Sequence, residues 1–82
     1  MEEYLGMVKM FAGNFAPRGW VFCDGQLMDI TQNTALFSIL GTTYGGDGKS
    51  TFGLPKLDSV KSGKDAEIKY LICVEGIYPS RD

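Results

Sequence analysis

Histidine is absent from this chain of 82 residues, and that absence removes most common catalytic constellations. Without an imidazole there is no Ser-His or Cys-His nucleophile pair and none of the commonest nitrogen ligand for a metal. Cysteine is nearly absent too. Cys23 and Cys73 lie far apart, each in an apolar run and without C-x-x-C spacing. Two such thiols cannot close a zinc site within one chain, and their setting reads as buried free thiols rather than a disulfide. Neither sign of charge dominates: 8 basic against 10 acidic residues leave a net charge of -2. That field is too weak to recruit nucleic acid or an anionic membrane. Trp20, Phe22 and Tyr70 are not interleaved with a basic stripe, so stacking on single strands is not expected either. Lys49, Lys56, Lys61, Lys64 and Lys69 are interspersed with Asp47, Asp58, Asp65 and Glu67, which is an ordinary solvated face.

No apolar run approaches the roughly 18 residues that span a bilayer. The start, Met1-Glu2-Glu3, is acidic where a secretory signal is basic, and no long apolar segment follows. The chain is therefore expected to be made in the cytoplasm without a signal peptide and without membrane insertion. What the sequence does have is apolar surface, at 44% hydrophobic and 12% aromatic residues, and 11 glycines. One domain spanning residues 1–82 is expected. At that size a chain buries only roughly 60% of the surface its unfolded form exposes, so association with other copies is physically useful.

Met7-Val8-Lys9-Met10-Phe11-Ala12 reads as a first strand, ended by Gly13-Asn14. Trp20-Val21-Phe22-Cys23 reads as a second, and Gln26-Leu27-Met28-Asp29-Ile30 as its return about Asp24-Gly25, so residues 20–30 are expected to form a hairpin. Residues 31–41 change period. Leu36 and Leu40 share a helical face with Ala35 and Ile39 beside it, Thr31 can cap the start, and Gly41 can close the end. Residues 56–67 are polar and read as a solvated loop. In residues 68–75, Ile68, Tyr70, Ile72 and Val74 form one face while Leu71 and Cys73 make the middle of the other apolar. A strand buried on both faces is expected at the centre of its sheet. The fold class is α+β: a small, mainly antiparallel β-sheet with one short helix.

GTTYGGDGKSTFGLP, residues 41–55, superficially resembles a phosphate-binding loop ending in Gly48-Lys49-Ser50. It fails each physical requirement. Thr43 stands where a glycine or alanine is needed, a helix precedes it where a strand is required, and Gly53 and Pro55 forbid the helix that should follow. Asp47 would set a carboxylate where phosphate should lie. The stretch is expected to be a tight reversal, with Tyr44, Phe52 and Leu54 folding back on the core. Asp47 reads as a turn residue, not a cation ligand, because no D-x-D-x-D pattern accompanies it. Asp24 and Asp29 read as turn and helix-start residues, not an acid/base pair. No catalytic residue, metal ligand, nucleotide site or cofactor is expected. Trp20, the one tryptophan, starts an apolar strand and reads as core, with a surface anchor as the alternative.

Met10-Phe11-Ala12-Gly13-Asn14-Phe15-Ala16-Pro17-Arg18-Gly19-Trp20, Cys23-Asp24-Gly25-Gln26-Leu27, residues 35–48 (ALFSILGTTYGGDG) and Thr51-Phe52-Gly53-Leu54-Pro55 together resemble the phage tail collar domain family. The likeness is to its short bacterial members, the microcystin-dependent proteins, and residues 68–81 resemble their C-termini. In those proteins a longer region usually follows the Leu-Pro, and here only residues 56–67 stand in its place. The resemblance implies a structural, self-associating protein, a trimer or filament, of a phage tail fibre or other extracellular appendage. Other tail or fibre proteins are the further partners it implies, and the virion tail or the appendage is the final location. It places apolar groups in loops as well as strands, and Phe15, Trp20, Tyr44, Phe52, Ile77 and Tyr78 are the expected oligomer contacts. A reading of another class is a small binding module, with Trp20 and residues 44–52 forming a pocket for a cell-surface glycan or receptor. Ile77 and Tyr78 are expected to lie beyond the sheet's own core, with Gly76 allowing the chain to bend and Pro79 ending further pairing.

Overall fold

The apolar run near the C-terminus organises everything else. In the computed structural model, which describes residues 3–63 and 66–80, seven elements follow in order: β1 (Val8–Phe11), β2 (Trp20–Phe22), β3 (Leu27–Asp29), α1 (Thr34–Leu40), β4 (Thr51–Gly53), β5 (Val60–Lys61) and β6 (Glu67–Cys73). β6 lies between β1 and β2, antiparallel to both, and β5 pairs with its first two residues. β3 and β4 form a separate two-stranded antiparallel ladder. The expected α+β architecture is present, as one small domain with two sheets, and the expected central strand is β6.

The register explains why β6 is buried on both faces. Val21 stands opposite Ile72 on one face, while Trp20 opposes Cys73 and Phe22 opposes Leu71 on the other. Opposed residues of an antiparallel pair share a face. The Ile72 side meets the main core, built by Leu5, Cys23, Leu36, Phe52, Leu54 and Ile72, with Val21, Met28, Phe37 and Tyr70 packed around it. Phe37 of α1 and Phe52 of β4 have ring centroids 5.4 Å apart, which ties helix and second sheet together. The Leu71 side is covered differently. β1 and β2 are both antiparallel to β6 and so parallel to each other; β1 ends opposite Lys69 and β2 begins opposite Cys73. Residues 12–19 must therefore cross β6 from one end to the other. They do so on the Leu71 face, where Phe15 meets the Phe11 ring edge-on at 6.1 Å and Gly13 packs against the same ring. Leu71 and Cys73 on this face are buried, and the Cys73 Sγ donates to the Glu75 carbonyl at 3.3 Å.

The hairpin expected over residues 20–30 does not form. β2 pairs with β6, and β3 with β4. Asp24 instead bridges to Lys56, and the Gly25 N–H donates to the Pro55 carbonyl at 3.3 Å. The Gln26 side chain donates to the Phe22 carbonyl at 2.9 Å and accepts from the Asp24 N–H at 3.1 Å. These bonds turn the chain from one sheet into the other. A short strand with apolar groups on both faces gains more from lying against buried β6 than from its sequence neighbour, so tertiary burial overrides the turn signal.

The helix begins later than expected because Thr31 is occupied elsewhere. The Asp29 carboxylate accepts from the Thr31 N–H at 3.1 Å and from its hydroxyl at 2.9 Å, while Asn33 takes the N-cap position without a side-chain capping bond. Gly41 closes the helix as expected, at φ 58° with its N–H donating to Phe37 at 2.7 Å. The stretch 56–67 is read as a plain solvated loop; its described residues, 56–63 and 66–67, are largely exposed but carry β5, whose Val60 pairs with Ile68.

Candidate assembly surface

The glycine-rich stretch forms an anion nest that the protein fills itself. One Asp47 carboxylate oxygen accepts backbone N–H bonds from Lys49, Ser50 and Thr51 at 2.8, 2.9 and 3.0 Å. The Ser50 and Thr51 hydroxyls add longer bonds of 3.3 Å. Successive backbone amides of this kind are what a phosphate would occupy. Here the site is taken, as the sequence implied. The amides of Ser50, Thr51 and Lys49, in that order, hold the Asp47 carboxyl well below the usual carboxylate range. A group depressed in the folded state stabilises above its unfolded pKa and loses that contribution as pH falls through the folded value. The thermal midpoint of the wild-type protein is therefore expected to fall from about pH 4 downward, starting at the unfolded aspartate value. Asp47→Ala is expected to melt lower at neutral pH, with the gap to wild type closing in acid. Calorimetry across pH checks it, and a gap that stays constant would refute this role.

The expected contact residues scatter. Phe52 is 0% exposed, at the centre of the core, and offers nothing to a partner; the apolar face of β4 is sealed by α1. Tyr44, expected to pin the core, is exposed instead, because its backbone lies against Gly53 and the ring is left outside. Leu27, which pairs with Gly53, is exposed beside it. Phe15 is exposed on the crossover. Trp20 is half-buried, neither core nor free anchor.

Ile77 and Tyr78 do lie outside the core, and they come together with residues the sequence did not single out. Ile77 forms a parallel bridge with Tyr4: its N–H donates to the Glu3 carbonyl at 2.9 Å, and its carbonyl accepts from Leu5 at 2.8 Å. The Tyr78 hydroxyl is 2.7 Å from that of Ser38 on α1, and Ile39 borders Gly6. Tyr4, Ile39, Ile77 and Tyr78 are thus gathered, all exposed, where residues 4–6 and 77–78 meet the helix. Local pattern carries no signal for this. Gly76 serves close approach here, since a β-carbon there would overlap the Glu3 carbonyl oxygen.

The surface of the described residues also carries open depressions. One, of about 330 Å³, is lined by Glu3, Arg18, Trp20, Cys73, Glu75, Gly76 and Ile77. It brings together Trp20 and Ile77 from the expected contacts, but no residue of 44–52. Another, of about 190 Å³, lies between Asp24, residues 56–59 and Lys69-Tyr70. Neither of these depressions joins Trp20 to the loop of residues 44–52. Cys23 and Cys73 are free and buried, and burial pushes both thiols up from their ordinary pKa. Among the described residues, no helix is long and apolar enough to cross a membrane.

No curated protein sequence matches the chain. Residues 6–60 match the family model for the Phage Tail Collar Domain. The matched span runs from Gly6 through β1, β2, β3, α1 and β4 to the start of β5 and includes the crossover and the Asp47 nest, while β6 lies beyond it. With most of its length inside that match, the chain belongs to the phage tail collar domain family.

Proposed function

We propose that this chain is a structural, non-enzymatic, self-associating component of a phage tail fibre or a comparable extracellular appendage, located finally in the virion tail or that appendage. Homo-oligomers and other tail or fibre proteins are its partners. The observation that carries this reading is the gathering of Tyr4, Ile39, Ile77 and Tyr78 on one seam of a domain whose own core is small. Contiguous apolar groups that a monomer would leave wet mark a contact surface. The family match supports a tail-fibre setting for this reading. Light scattering at micromolar concentrations tests the proposal. A mass that is a multiple of the chain's 9.0 kDa is expected; a stable monomer throughout would overturn it.

A further inference from the structure

The two outer strands of the main sheet are treated differently. In β2 two of the four outward backbone groups are engaged: the Trp20 N–H donates to Pro17, and the Phe22 carbonyl accepts from Asp24 and from Gln26 Nε2. β1 has no such protection. Cys73 donates to Met7 and accepts from Gly6, a bulge with Gly6 at φ 88° that places two residues opposite one. The alternation that follows turns the backbone groups of Lys9 and Phe11 toward β6 and those of Val8 and Met10 outward. The outward groups have no partner among the described residues. Val8 and Met10 are also 40% and 48% exposed. β1 contains no proline and no bulge of its own, and the ammonium of its single charge, Lys9, is held by Glu3 at 2.6 Å. An edge of this kind is a template for another strand.

Resting on the self-association reading, we propose that β1 pairs antiparallel with β1 of a second copy, across a two-fold axis at Met10. Charge and shape select this register. A pairing centred on Lys9 would set two ammonium groups directly opposite, which is unfavourable. A pairing centred on Val8 would drive the Gly6–Met7 bulge into the new ladder. Centred on Met10, the pair sets Met10 against its own copy and Val8 against the second copy's Ala12. Lys9 then faces the second copy's Phe11, with its aliphatic stem against the ring while Glu3 holds the ammonium. The result is one sheet continued through both copies, with β6 as the second strand in from the junction on each side. A four-residue strand pair buries less than the roughly 1,200 Å² of a standard interface, so the dimer forms reversibly with concentration.

Charge exchange at Met10 tests it by sedimentation velocity over a concentration series, with circular dichroism confirming that each variant is folded. Met10→Lys and Met10→Glu are each expected to weaken self-association at least tenfold, because like charges meet at the axis. An equimolar mixture of the two is expected to recover association as a heterodimer. Leu27→Lys, on the other sheet, is expected to associate as wild type does. A wild-type protein that never associates overturns both self-association and this interface. A wild-type protein that associates while Met10→Lys does so equally well overturns the β1 pairing alone. Two variants that stay monomeric and do not recover on mixing overturn the register at Met10.

Discussion

Ile72→Asp is expected to leave no folded protein. Ile72 sits in β6, flanked by Val8 of β1 and Val21 of β2, and is 0% exposed within the main core. The substitution removes apolar packing of about 2–5 kcal/mol and adds the several kcal/mol of burying a carboxylate without a partner. A domain of this length has a total stability of only about 4–12 kcal/mol on the usual per-residue scale. Among the described residues no cation lies in the main core cluster to pair the new charge. Loss of near-ultraviolet circular dichroism and of chemical-shift dispersion is the expected readout. Ile77→Asp is the matched control: its side chain is exposed, and the same dispersion is expected to remain. A native-like spectrum for Ile72→Asp would mean that β6 is not the organising strand.

Gly46→Ala is expected to cost more than about 3 kcal/mol, combining the strain of a left-handed residue with displacement of packed backbone. Gly46 has φ 90°, and a β-carbon there would overlap the Phe52 Cα, with the Thr51 carbonyl oxygen close beside it. Neither neighbour is a flexible side-chain end. Relief of the clash has to move β4, and with it the Phe52 ring that α1 packs against. For a domain of this size a loss of 1 kcal/mol lowers the melting midpoint by about 4–8 °C, so a fall of more than about 12 °C is expected. Gly63→Ala, where a β-carbon meets nothing within 4 Å, is expected to stay within about 0.5 kcal/mol of wild type. Differential scanning calorimetry of the pair separates a close-approach glycine from a merely flexible one. Equal midpoints would show that the loop can shift freely.

The Asp47 loop and β6 were legible in the chain itself, for local reasons. A strand with Leu71 and Cys73 on one side and Ile72 on the other must be covered twice, whatever surrounds it. The carboxylate of Asp47, close in sequence to the amides of Lys49, Ser50 and Thr51, can reach them without help from the rest of the fold. The rejection of a phosphate loop followed from the same local chemistry, as did the helical face of Leu36 and Leu40.

Pairing and exposure were decided elsewhere. The alternation of β2 states that Val21 and Phe22 point opposite ways, but not which strand lies alongside. Asp24-Gly25 favoured β3, and burial against β6 favoured the arrangement that forms. Tyr44 and Phe52 are both aromatic residues in the same glycine-rich loop. One is outside and the other sealed: α1 covers the apolar face of β4, while Tyr44 packs its backbone, not its ring, against Gly53. Tyr4 and Ile39, far apart along the chain, become one surface only when Ile77 pairs with Tyr4 and Tyr78 reaches Ser38. Composition and period therefore determined that this chain forms a small β-rich domain with one helix, and local chemistry that its glycine-rich loop is a turn and not a phosphate site. The tertiary structure alone decided which strand edge and which apolar groups face outward, since those depend on contacts between residues that no local pattern relates.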